Sequence, residues 1–134
     1  MAVRQRVRGR PPCADRSRMK SQPLIRRLAW ALAGLRECWR SEGSFRLQVL
    51  GAAAGLALLA WLRPAPLWWG LLALAAALTL ASELFNSAIE RLADRLHPER
   101  HPDIGAVKDM AAGAVFMLVL AGLAVAALAV ASVT

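Results

Sequence analysis

Four polar side chains interrupt an apolar stretch in the second half of the chain: Glu83, Asn86, Glu90 and Asp94, spaced three, four and four residues apart. At 100° per residue they fall within roughly 60 to 80° of one another on a helix, so they form one stripe. Carboxylates there can act as a general base or as oxygen ligands for a hard cation such as Mg2+. The topology argued below brings more groups to the same level: Glu42 before the first apolar run, and Asp109 beside Lys108 before the last. Oxygen ligands with a lysine point charge for phosphate are what a Mg-nucleotide site at a water boundary requires. Neither Gly-x-x-x-x-Gly-Lys-Ser/Thr nor Gly-x-Gly-x-x-Gly occurs, so a nucleotide would be held without those cradles. His97 and His101 are read as surface histidines of a proline-containing loop rather than as a metal pair.

Composition sets the elements that must position these groups. The chain has 134 residues, 57% of them apolar, which bounds it to one small domain and excludes a large multidomain enzyme. Residues 1–40 hold eleven of the 17 basic side chains and, of the acids, only Asp15 and Glu37, a local balance of +9, while the other 94 residues sum to −1. Uncharged runs cover 47–62 (16 residues), 64–82 (19 residues) and 110–134 (25 residues). A soluble domain this small would not need three such stretches. The fold class is therefore an all-α membrane protein with three transmembrane helices and a basic arm. Cys13 and Cys38 show no metal-ligand or redox spacing. No cleaved secretory signal is expected, because more than twenty polar residues precede the first amphipathic segment.

Residues 1–23, with Arg4, Arg6, Arg8, Arg10, Pro11, Pro12 and Pro23, are too poor in apolar side chains to pack and are expected to be a disordered cytoplasmic arm. Attraction to anionic membrane lipid explains the charge more simply than nucleic acid, for which stacking aromatics are missing. From 24 to 40, Leu24, Leu28, Ala31, Leu32, Leu35 and Trp39 gather within roughly 100°, opposite Arg26, Arg27, Arg36, Glu37 and Arg40. That predicts an amphipathic helix lying on the membrane surface. Trp30 projects to the charged side, either as an interfacial residue or as a flat surface for a planar ligand such as a purine.

The first span is expected over 42–62, a tight turn at Arg63-Pro64-Ala65-Pro66, the second helix over 66–96 and the third over 103–133, with a candidate N-cap at Asp103. About 30 residues in the second helix give about 45 Å, longer than the hydrocarbon, so its C-terminal third must protrude. Trp61, Trp68 and Trp69 bracket the turn as an aromatic belt would. Glu83 lies about 25 Å from the Pro66 end, near the opposite interface. The excess of Lys and Arg in the arm and over 91–108 predicts a cytoplasmic N-terminus and an external C-terminus. Gly51 and Gly55, with the many alanines, allow close helix association within or between chains. A carboxylate at membrane depth suggests function by default. The structural alternative for Asp94 is pairing with Arg91, Arg95 or a neighbouring chain.

Residues Glu83-Leu84-Phe85-Asn86-Ser87-Ala88-Ile89-Glu90-Arg91-Leu92-Ala93-Asp94, followed after a short loop by Lys108-Asp109-Met110, resemble the signature of the small integral-membrane bacterial diacylglycerol kinases, which include undecaprenol kinases. The resemblance runs from Gly34-Leu35-Arg36 through Trp39, Glu42 and Phe45-Arg46 to the last helix. It implies a homotrimer of three-span protomers in the bacterial inner membrane, each with an N-terminal surface helix, transferring the γ-phosphoryl group of ATP, as its Mg2+ complex, to a lipid hydroxyl. By position it implies Glu83 as general base and Glu42 and Glu90 as Mg2+ ligands. ATP contacts are implied for Trp30, Glu42, Asn86, Glu90, Glu99, His101, Lys108 and Asp109. The lipid is implied at Arg36, Trp39, Phe45, Arg46 and Glu83. Pro23, Gln48 and Ala126 depart from the pattern: many members have an arginine at the first position, an acid often stands at the second, and some have a tryptophan at the third.

The residues agree with such chemistry on their own terms. A lipid alcohol keeps its tails in the bilayer and ATP stays in water, so the base must stand at the boundary, and phosphoryl transfer asks mainly for positioning and charge neutralisation. Diacylglycerol is the leading acceptor and undecaprenol, or another long-chain lipid alcohol, the alternative. Two readings from other classes are a small proton-coupled transporter working through Glu83 and a non-enzymatic assembly protein anchored by its basic arm.

Overall fold

The computed structural model describes residues 23–99 and 101–134. They form four helices: α1 (Leu24–Ser41), α2 (Gly43–Leu62), α3 (Pro66–Leu96) and α4 (Pro102–Ala131). The protein is all-α, and α2, α3 and α4 are each long and apolar enough to cross a membrane, with mean hydropathy of 1.6, 1.6 and 2.7. Apart from Pro23, the basic arm expected over 1–23 lies outside the described residues.

The chain divides into two units, Met1–Gly34 and Leu35–Thr134. In the first, the Pro23 carbonyl accepts the amide hydrogens of Arg26 (3.0 Å) and Arg27 (3.4 Å), which starts α1. Leu24, Leu28, Trp30 and Leu32 are exposed there.

In the second unit a single residue joins α1 to α2. Glu42 donates its amide to the Cys38 carbonyl at 2.9 Å, closing α1, and turns extended (φ −107°, ψ 116°) so that α2 starts at Gly43 rather than at Glu42. Arg46, one turn into α2, reaches back and donates to the carbonyls of Trp39 (3.1 Å) and Arg40 (3.5 Å). A cation there satisfies carbonyls that a helix end leaves open and complements its dipole.

The turn after α2 is made by proline chemistry. Pro64 disfavours right-handed helix at the residue before it. Arg63 accordingly takes a left-handed conformation (φ 52°, ψ 48°) and donates to the Leu59 carbonyl at 2.8 Å. Pro66 and Pro102 occupy the first positions of α3 and α4, where the missing donor costs nothing. At the start of α4 the structure corrects the expected cap: His101, not Asp103, precedes the helix, and its Nδ1 accepts the Asp103 amide at 3.2 Å. With proline at the first helical position, the capping residue must stand before it.

The central helix is α3, packed along α4 and less extensively along α2. A small core joins Leu59, Leu72 and Ala129, with Trp68, Val125 and Ala126 against it. Gly55 admits Leu72 closely, since a Cβ there would stand 3.2 Å from the leucine Cδ2. Only 11 to 17% of each span's most apolar window is buried within the chain, so most of its leucines, valines and phenylalanines face outward. That suits hydrocarbon as the surrounding medium.

Candidate functional site at the ends of α1, α2 and α3

The acidic stripe of α3 resolves into two rows. Glu83, Ser87 and Arg91 repeat every four residues and face the α1–α2 corner. Asn86, Glu90 and Asp94, with the same spacing, make up the other row.

Glu83 is buried, at 4% exposure. Its Oε1 accepts from the Ser44 hydroxyl, and its Oε2 accepts from Gln48 Nε2 at 3.2 Å. Ser44 and Gln48 lie one turn apart on α2, matching the side chains across the seam. A carboxylate pair of oxygens offers about four acceptor positions, so two remain for another donor. Gln48 Oε1 is buried with no hydrogen-bond partner among the described residues.

Below Glu83, the Ser87 hydroxyl donates to the Glu83 carbonyl at 2.9 Å, and Cys38 Sγ lies 3.6 Å from the Ser87 oxygen. At that distance either group can donate to the other. Burial pushes the Cys38 thiol above its ordinary range; the Ser87 hydrogen bond opposes this, the charges of Glu42 and Glu83 add to it, and Arg91 opposes it.

Arg91 closes the row. Its guanidinium donates to Glu37 Oε1 at 3.1 Å, to the Ser41 hydroxyl, and to Glu42 Oε1 at 3.5 Å. Ser41 itself donates to Glu42 Oε1 at 3.0 Å and to the Glu37 carbonyl at 3.0 Å. One arginine thus ties the end of α1 and the first residue before α2 to α3.

In the second row Asn86 Nδ2 donates to Glu90 Oε1 at 2.9 Å, and Asn86 Oδ1 is buried without a partner among the described residues. Asp94 pairs with Lys108 of α4, rather than with Arg91 or Arg95. Lys108 is therefore spent on the far end of α3, eleven residues from Glu83 or about 16 Å along the helix. The expected single convergence of Glu83, Glu42, Asp109 and Lys108 becomes two groups within one protomer, because a lysine tether cannot span that distance. Asp109 is exposed.

The remaining expected residues are scattered. Glu99 and His101 line a depression of about 240 Å³ with Leu96, His97 and Pro98. Trp30, Arg36 and Trp39 are exposed, and Arg46 is engaged with the α1 carbonyls. Phe45 is buried within the protomer, at 5% exposure. Ser44, Ser87, Cys38 and Arg91 were not among the expected site residues. The available signal was the four-residue spacing of Ser44 and Gln48, which matches that of Glu83 and Ser87.

Three helices long and apolar enough to cross a membrane, with a buried, hydrogen-bonded carboxylate and ion pairs further along the same helix, describe a membrane protein with a polar site. The family model of prokaryotic diacylglycerol kinase matches residues 29–130. The diacylglycerol kinase of Helicobacter pylori strain J99 is 37% identical over 91 residues, covering 68% of this chain and 71% of that protein. That of Escherichia coli K12 is 30% identical over 97 residues, covering 72% and 80%, and that of Haemophilus influenzae is 32% identical over 94 residues, covering 70% and 80%. The chain belongs to the prokaryotic diacylglycerol kinase family and is a lipid kinase.

Proposed function

We propose that the protein phosphorylates diacylglycerol to phosphatidate with ATP at the cytoplasmic face of the bacterial inner membrane. The names of its relatives supply the acceptor. The observation that carries the chemistry is the Glu83 carboxylate, buried at the polar end of an apolar span and held by two donors with acceptor capacity to spare. The lipid hydroxyl gives its proton to Glu83, its oxygen forms a bond to the γ-phosphorus, and the bond from that phosphorus to the bridging oxygen of ADP breaks. No covalent enzyme intermediate is required.

Mg2+ is a hard cation that takes oxygen ligands, commonly one or two carboxylates together with substrate phosphates. Glu42 and Glu90 have the right chemistry, and the unpartnered Asn86 Oδ1 beside Glu90 adds a neutral oxygen acceptor. These residues have the donor chemistry such an ion takes, and when bound it would supply neutralisation of phosphate charge. Glu42, paired with Arg91, would be shared between the arginine and the ion.

Lys108 and Asp109 are assigned to ATP, with Trp30, Glu99 and His101 as further nucleotide contacts. Arg36, Trp39, Phe45 and Arg46 are assigned to the lipid side. The N-terminus is cytoplasmic and the C-terminus external, supported by the concentration of Lys and Arg in the arm and around 91–108. The working form is a homotrimer with α1 on the membrane surface. The large outward-facing apolar area of the three spans supports association, and a neighbouring copy offers a second way to bring a lysine near Glu83.

Incubation of the full chain in mixed micelles with MgATP and either diacylglycerol or undecaprenol tests the reading. Phosphatidate is the expected product. Phosphorylation of undecaprenol alone would change the acceptor, and no phosphorylated lipid from either alcohol would remove the proposal.

A further inference from the structure

Glu83 is served by one helix only. Both donors to its carboxylate, Ser44 and Gln48, come from the first two turns of α2, and each takes a different oxygen. The glutamine can face Glu83 in one sense only, because a carboxylate only accepts, so its Nε2 must point to the acid and its Oε1 away. That oxygen is buried and unpartnered among the described residues. The amide is thus turned by its donor, even at the expense of an unmet acceptor. Ser44, by contrast, is exposed, so its hydroxyl is not retained for filling space.

We propose that Ser44 and Gln48 are positioning residues for the transfer reaction, a two-donor clamp that fixes the Glu83 carboxylate in one orientation. The inference rests on the reading of Glu83 as the base. A base must be aimed at the proton it takes, and a small misplacement costs rate rather than nucleotide affinity. Loss of either donor therefore lowers kcat and leaves the KM for ATP unchanged.

The test uses the full chain in micelles with MgATP and a short-chain diacylglycerol. It compares wild type with Ser44→Ala, Ser44→Thr, Gln48→Ala and Glu83→Gln, reading kcat and the KM for ATP of each. Ser44→Ala and Gln48→Ala should each lower kcat about tenfold with the KM for ATP unchanged. Ser44→Thr, which keeps the hydroxyl, should restore the wild-type kcat. If Ser44→Ala and Gln48→Ala keep the wild-type kcat while Glu83→Gln is inactive, the clamp is wrong and the base stands. If Glu83→Gln turns over like wild type, the base reading fails and the clamp fails with it.

Discussion

Two acids eleven residues apart on α3 live in opposite surroundings. Glu83 is buried against α2, with both oxygens hydrogen-bonded to uncharged side chains. Asp94 has a side chain 65% exposed and meets one long, charged partner, Lys108, across the gap to α4. The first arrangement fixes an orientation, because its donors sit on helical backbone within one turn. The second fixes little, since water screens the pair and the lysine tether is flexible. A carboxylate is thus specialised less by its own chemistry than by the length and charge of what holds it.

The comparison breaks most readily at Glu83. Replacing it by glutamine keeps shape and a hydrogen-bonding head but removes the carboxylate proposed as the base, so kcat should fall about 100-fold or more while nucleotide binding persists. Steady-state kinetics with a parallel ATP-binding measurement check this, and unchanged turnover would make Glu83 no more special than Asp94.

The other end gives a smaller effect that separates its two partners. Asp94→Asn should cost at most about 1 kcal/mol of stability, because the pair is exposed. Lys108→Ala should raise the KM for ATP about tenfold if its charge serves phosphate. Thermal unfolding in detergent and ATP kinetics read the two separately; equal losses in both variants would mean that the ion pair itself is what matters.

The smallest effect sits beneath Glu83. Burial raises the Cys38 thiol above its ordinary range, so at neutral pH it stays protonated and should react with maleimide far more slowly than in denatured chain. In a Cys13→Ser background, mass-spectrometric alkylation rates should climb only as pH passes that raised value. Fast labelling at neutral pH would show that the seam between α1 and α3 opens readily.

Much of this was legible in the chain itself. Uncharged runs give away spans because hydrocarbon tolerates little else, and Glu83 stands out because nothing in an apolar run excuses it. Pro64 and Pro66 announce the turn by what they forbid. Ser44 and Gln48 were silent, since lone hydroxyl and amide groups are ordinary residues until a facing helix supplies the acid. The pairing of Asp94 with Lys108 was not legible, because long side chains choose among several cations by three-dimensional reach, and nearness in sequence points to Arg91 and Arg95. His101 as a cap was hidden by the usual preference for aspartate.

Between Leu71 and Leu96 the third helix contains neither glycine nor proline, so it has none of the residues at which helices commonly hinge. Its two rows are consequently mounted on one shaft. A torque that turned Glu83 away from α2 would swing Glu90 and Asp94 through the same arc, so the three acids cannot be retimed independently by motion of α3.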